Sequence, residues 1–200
     1  MITNDRRPKR YPPPEFPPRR TALFARTPPA IFPPILGLLG LAGAVRLALG
    51  RMGWDQGLAD LLAGVAVALW LFATVAYLAK VARRPGVVAE DLRVLPGRSG
   101  LAAMSMGGMV TAGLVSAYST PVSAVLLLAS LAGQAVLAGV LVRLLLGLSP
   151  EARLVNPTLH LSFVGFIVAA PAALALGWGW LAEAVFWALL PEGEVIWGLS

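Results

Sequence analysis

The feature that most constrains this chain is a succession of long apolar runs that begins near residue 30 and continues almost to the end. Crossing about 30 Å of hydrocarbon takes roughly 20 helical residues, and several of these runs reach or approach that length. Inside a bilayer every backbone polar group must find its partner within the protein, so open runs of this kind are read as helices. Composition agrees: 58% of residues are hydrophobic, 13% are charged, and the mean hydropathy is +0.76. The expected fold is all-α, a polytopic membrane bundle of helical hairpins with about five or six transmembrane helices.

Charge placement sets the expected topology. Of the 16 Lys and Arg, all but Arg46 and Arg51 fall in the N-terminal tail, near the link after the second run, or near the link after the fourth. That distribution is a positive-inside signal rather than a nucleic-acid footprint, and it places the N-terminus in the cytoplasm. Residues 1–29 are read as a disordered, basic, Pro-rich cytoplasmic tail near anionic headgroups, and residues 30–200 as the transmembrane domain. The tail lacks the apolar core of a signal peptide. Its PPPEFPP stretch has the composition of a partner-binding segment, against the plainer reading of an extended linker.

Chemistry-bearing residues are sparse. The chain has no cysteine and one histidine, which excludes a thiolate metal site and a His-rich cluster; no metal, no cofactor and no catalytic set is expected. Neither a phosphate-binding loop nor a nucleophile–His–acid arrangement is present, so an enzyme is not expected.

Span 1 is expected over Ala30–Gly50, with Pro33 and Pro34 in its first turn and Gly37, Gly40 and Gly43 forming a smooth stripe. Its Arg46 is expected to snorkel to the interface. Span 2 is expected over Leu58–Lys80, with Asp60 in its first turn; Val81–Gly97 reads as a loop. Span 3, Ser99–Tyr118, is rich in small and hydroxylated residues and reads as a buried helix with a possible bend at Gly107–Gly108. Span 4, Val122–Leu146, is the most aliphatic, apart from Ser123, Ser130, Gln134 and Arg143. Span 5, Asn156–Ala175, carries His160, Phe163, Phe166 and Pro171. Beyond it Trp178–Leu190 reaches only about 20 Å as a helix before Pro191-Glu192-Gly193-Glu194, so either span 6 is short with the last residues at the interface or the chain is a piece of something longer, with Glu183 read as shallow.

The stretches RTPPAIFPPILGLLGLAGAVRLALG, LADLLAGVAVALWLFATVAYLAK, LPGRSGLAAMSMGGM and NPTLHLSFVGFIVAAPAALALG resemble the tellurite-resistance/dicarboxylate transporter family, which includes the plant guard-cell slow anion channels. The likeness runs over about residues 22–190 and is nearest to the bacterial tellurite-resistance branch. It implies an anion channel or carrier in the bacterial inner membrane, ten helices in five hairpins around a pore lined by the odd-numbered helices, and a trimer. The expected partners are the bilayer, small anions and further copies of the chain, with no nucleic acid. Transferred to this sequence, the plan makes Pro33, Pro34, Gly37, Gly107, Gly108, His160, Phe163, Phe166 and Pro171 the pore-lining candidates. Each also has a plainer reading: His160 as a cap, the two phenylalanines as packing, Pro171 as a structural kink.

The chain stops at about the sixth of the ten helices that the resemblance implies, and the ninth-helix phenylalanine that occludes the family's pore has no counterpart here. The alternative to a transporter is therefore a truncated or accessory membrane protein with no transport activity of its own.

Overall fold

The computed structural model describes residue 24 and residues 27–146 and 162–197, with only the backbone followed at 145–146 and 189–197. Nearly all of the proposed tail, and His160, lie outside the described residues. Within them the chain is helical, with no strand. A 3-10 turn at Pro29–Ile31 leads into α1 (Phe32–Met52). There follow α2 (Gly57–Arg83), α3 (Val87–Arg93), α4 (Leu95–Val115) and α5 (Thr120–Leu146). A 3-10 stretch at Gly165–Val168 leads into α6 (Ala169–Ala175), and α7 spans Gly179–Trp197.

Local chemistry explains most of the boundaries. Pro33 and Pro34 occupy the start of α1, where their missing N–H groups would have had no helical partner. Gly53, at φ 69°, ends that helix in the left-handed conformation. Asp60 in the first turn of α2, and Lys80 and Arg83 in its last, match the sign of the helix dipole.

Three helical stretches, Pro29–Met52, Gly57–Arg83 and Thr120–Leu144, are long and apolar enough to cross a bilayer. They leave large side chains such as Leu58, Leu61, Phe72, Val125 and Val136 mostly exposed, a surface suited to lipid rather than water. α4 is different. Thirteen of its 21 residues are buried, against three of 21 in α1, and it packs on α1, α2, α3, α5 and α6. Small side chains permit this, because helices in lipid associate through close packing rather than through escape from water. The pairs α1–α2, α4–α5 and α6–α7 pack as hairpins across short links. Along one row α1, α4 and α6 are successive neighbours, since α1 and α6 each pack on α4.

The structure corrects four expectations. The segment after α2 is not wholly a loop: it folds into α3, whose Val87 and Leu92 are buried while Glu90 and Arg93 face outward. α4 begins at Leu95 rather than Ser99, because Pro96 sits in its first turn, a favourable helical position. No break occurs at Gly107–Gly108; α4 runs through them, and they serve close approach instead. Finally, α7 does not stop at Leu190. It continues through Pro191 to Trp197, and its 19 residues rise about 28 Å. Pro191 lies inside α7, which continues past it for six residues.

Candidate permeation pathway

Pro33, Pro34 and Gly37 lie on an exposed face of α1, and a side chain added at Gly37 or Gly40 would meet nothing within 4 Å. That face turns away from α2 and α4, which instead receive Phe32, Leu39 and Ala42. Pro171 is likewise exposed, in line with the exposed Ile167 and Leu174, while Ala169, Ala172 and Ala173 form the buried face of the same segment. Phe163 and Phe166 are half-buried. Pro171 has no N–H for the carbonyl of Ile167, and the turn before it is wound as 3-10, with the Ala169 N–H bonded to the Phe166 carbonyl.

Gly107 and Gly108 sit elsewhere, against the indole of Trp70 from α2. A methyl group at Gly107 would lie 2.8 Å from Trp70 Cδ1, and one at Gly108 would lie 2.9 Å from Trp70 Cζ2 and nearer still to Ser130 Oγ. The indole Nε1 donates to the Met104 carbonyl at 3.0 Å, which fixes the ring across the two glycines.

Two polar clusters lie at opposite ends of α2. At one end Arg46 of α1 donates to the Leu114 carbonyl at 3.2 Å and pairs with Asp60 of α2 at 3.5 Å; its guanidinium also lies over the Tyr118 ring at 5.3 Å. The Tyr118 N–H bonds to Val115 rather than Leu114, so the arginine caps a carbonyl left over at the end of α4. Arg46, near the far end of its helix, is thus held by the start of α2 and the end of α4. Tyr118, in the turn after α4, has its phenol raised above the ordinary value by hydrogen bonding to Asp60, with a smaller contribution from burial and an opposing one from Arg46. A recess of about 210 Å³ lies here, lined by Asp60, Gly64, Leu114 and Tyr118. At the other end Lys80 donates to the Thr27 carbonyl at 3.0 Å and to Asp91 at 3.1 Å, and the Tyr77 hydroxyl donates to the same carboxylate at 3.0 Å.

Sequence reasoning missed the polar contact at the centre. Gln134 of α5 is wholly buried; its Nε2 donates to the Ser162 carbonyl at 2.7 Å, and its Oε1 accepts from the Ser105 hydroxyl of α4. One amide thus ties three helical segments together. The signal was present as a lone glutamine in an aliphatic span, where a buried amide must find partners.

The described residues thus combine a buried, small-residue helix, α4, with long apolar helices whose exposed faces suit lipid. The sequence profile of the voltage-dependent anion channel family matches residues 26–190, most of the chain. The chain belongs to that family. This is the family that the four quoted stretches pointed to, and its members are channels and transporters rather than enzymes. No curated protein and no solved structure matches the chain significantly. Membership fits a multi-pass membrane protein in contact with lipid and with anions.

Proposed function

We propose that this voltage-dependent anion channel family member moves small anions across a bacterial inner membrane, with its N-terminus in the cytoplasm. The observation that carries the reading is the family match over residues 26–190 on a chain whose α1, α4 and α6 form a row of close-packed, small-residue helices. The uncovered faces of α1 at Pro33, Pro34 and Gly37, and of α6 at Pro171, line the path. Phe163 and Phe166 stand beside it as the bulky groups that narrow it. Gly107 and Gly108 act behind the path, by letting Trp70 lock α2 onto α4. The tellurite-resistance branch supplies the candidate substrates: tellurite, dicarboxylates and small inorganic anions, drawn by cationic rims and passed by a weakly selective channel. Further copies of the chain, as a trimer, belong to the same proposal.

The experiment is anion efflux from liposomes reconstituted with the full chain. Flux above protein-free vesicles supports transport; its absence favours an accessory membrane protein without transport of its own.

A further inference from the structure

The strap of chain that leads into α1, residues 27–31, is tied down at its start by one side chain. Lys80, in the last turn of α2, donates from Nζ to the Thr27 carbonyl at 3.0 Å and to Asp91 Oδ2 of α3 at 3.1 Å. The Lys80 and Asp91 side chains are only 13% and 17% accessible, so water competes weakly for the ammonium. Elsewhere α3 is held by buried Leu92, by Arg98 donating to the Leu92 carbonyl, and by an exposed Glu90–Arg84 pair that adds little.

Beyond Thr27 the strap lies against α4. The Pro29–Ile31 turn packs there, and a methyl group at Gly100 would overlap the Pro29 carbonyl. Phe32 follows, wholly buried, with its ring edge-on to Tyr77 at 6.2 Å. The Tyr77 hydroxyl donates to the same Asp91 oxygen as Lys80, at 3.0 Å, so the carboxylate is shared by both donors. Lys80 is thus the one side chain here that bonds both to the strap and to α3. Were its role only to neutralise Asp91, the strap would be held by packing on α4 and would not respond to α3.

We propose that Lys80 is a latch that couples the entry strap to α3, so that the two are held together and released together. A pull on the chain ahead of Thr27 meets this bond before it meets α1. Pro33 and Pro34 stand two and three residues beyond the strap, so on the proposed path the latch also sets the mouth. That consequence rests on the path; the latch itself does not.

The test uses the full chain in nanodiscs. The sequence has no cysteine, so a nitroxide on Ala30→Cys, an exposed position, follows the strap alone. Amide hydrogen exchange follows α3. Neither readout uses anion flux, so failure of the latch and failure of transport are told apart. Lys80→Met keeps the apolar stem and removes the donors. It should make the Ala30→Cys label more mobile and speed exchange in α3 about ten-fold, the order expected when a local opening loses one charge-assisted hydrogen bond. Residues 104–112 of α4 should keep their protection. Gly100→Ala, which displaces the strap at Pro29, should also speed exchange in α3. In the Lys80→Met background it should speed it no further, because both changes act through one connection. If Lys80→Met exposes the α4 core, Gly100→Ala alone decides. A freed strap with unchanged α3 exchange in Gly100→Ala would overturn the proposal, as would a Lys80→Met variant that loosens α3 and leaves the strap fixed.

Discussion

The side-chain amide of Gln134 donates to the backbone carbonyl of Ser162 at 2.7 Å, across 28 residues of sequence. The acceptor stands at the start of the segment that continues as 3-10 turn and then α6, so a group on α5 positions the helix that carries Phe163, Phe166 and Pro171. Gln134→Leu keeps the bulk and removes the bond. It should cost about 1–2 kcal/mol of stability, since a buried carbonyl is left without its donor while membrane hydrogen bonds are individually modest. Thermal unfolding in detergent measures this. Ser105→Ala combined with Gln134→Leu should cost less than the sum of the two single changes, because both act on one network.

The Trp70 indole against Gly107 and Gly108 gives a second prediction. Gly108→Ala should destabilise by about 1–3 kcal/mol through overpacking, since the new methyl meets both the ring and Ser130. Trp70→Leu should cost less in the Gly108→Ala background than in the unaltered chain, because the ring that the methyl meets is already crowded. Unchanged unfolding of Gly108→Ala would mean that α2 and α4 stand further apart than this contact requires.

Much of this is legible in sequence, and the reason differs by element. α1, α2 and α5 follow from uninterrupted apolar runs, whose length alone decides a span. α4 is legible as buried from its Gly, Ala, Ser and Thr content, but its start is not, because Leu95-Pro96-Gly97 has the composition of a turn and in fact forms the first turn of a helix. α3 escapes sequence reading: seven residues carry too little periodicity, and what holds them is tertiary, through Leu92 and the Lys80–Asp91 pair. At the site, an exposed Pro33 and a buried Gly108 look alike in sequence, since both are simply helix-unfriendly residues in apolar runs. Only the neighbours separate them, open space in one case and Trp70 in the other.

Arg46 supplies a third prediction. Its ion pair with Asp60 is partly exposed, with side chains 25% and 38% accessible, so the pair itself contributes at most about 1 kcal/mol. The bond to the Leu114 carbonyl makes the residue more than a surface charge. Arg46→Lys should lose one of the two contacts, because a point charge cannot span both as a planar fork does. The unfolding temperature should therefore fall in Arg46→Lys and fall further in Arg46→Gln, which also loses the charge. Equal unfolding temperatures for both variants and the unaltered chain would mean that Arg46 is not held by α2 and α4.

Tyr118 reports on the same cluster by titration. The neighbouring Asp60 carboxylate raises its phenol above the ordinary value, so the neutral form is favoured in the folded chain. The sign follows: the stabilisation is complete below the unfolded value and is lost as pH rises through the higher folded value. Ultraviolet difference titration of tyrosinate should show Tyr118 ionising later than an ordinary tyrosine, and Asp60→Asn should bring it earlier. An unshifted midpoint in Asp60→Asn would place Tyr118 away from Asp60.

Anion movement itself is tested most directly by efflux of chloride, nitrate or tellurite from liposomes that contain the purified full chain. The predicted result is efflux above protein-free vesicles, faster still in Phe163→Ala/Phe166→Ala because the bulky groups beside the path are gone. Efflux no greater than that of empty vesicles, from protein shown to be folded and inserted, would contradict the account.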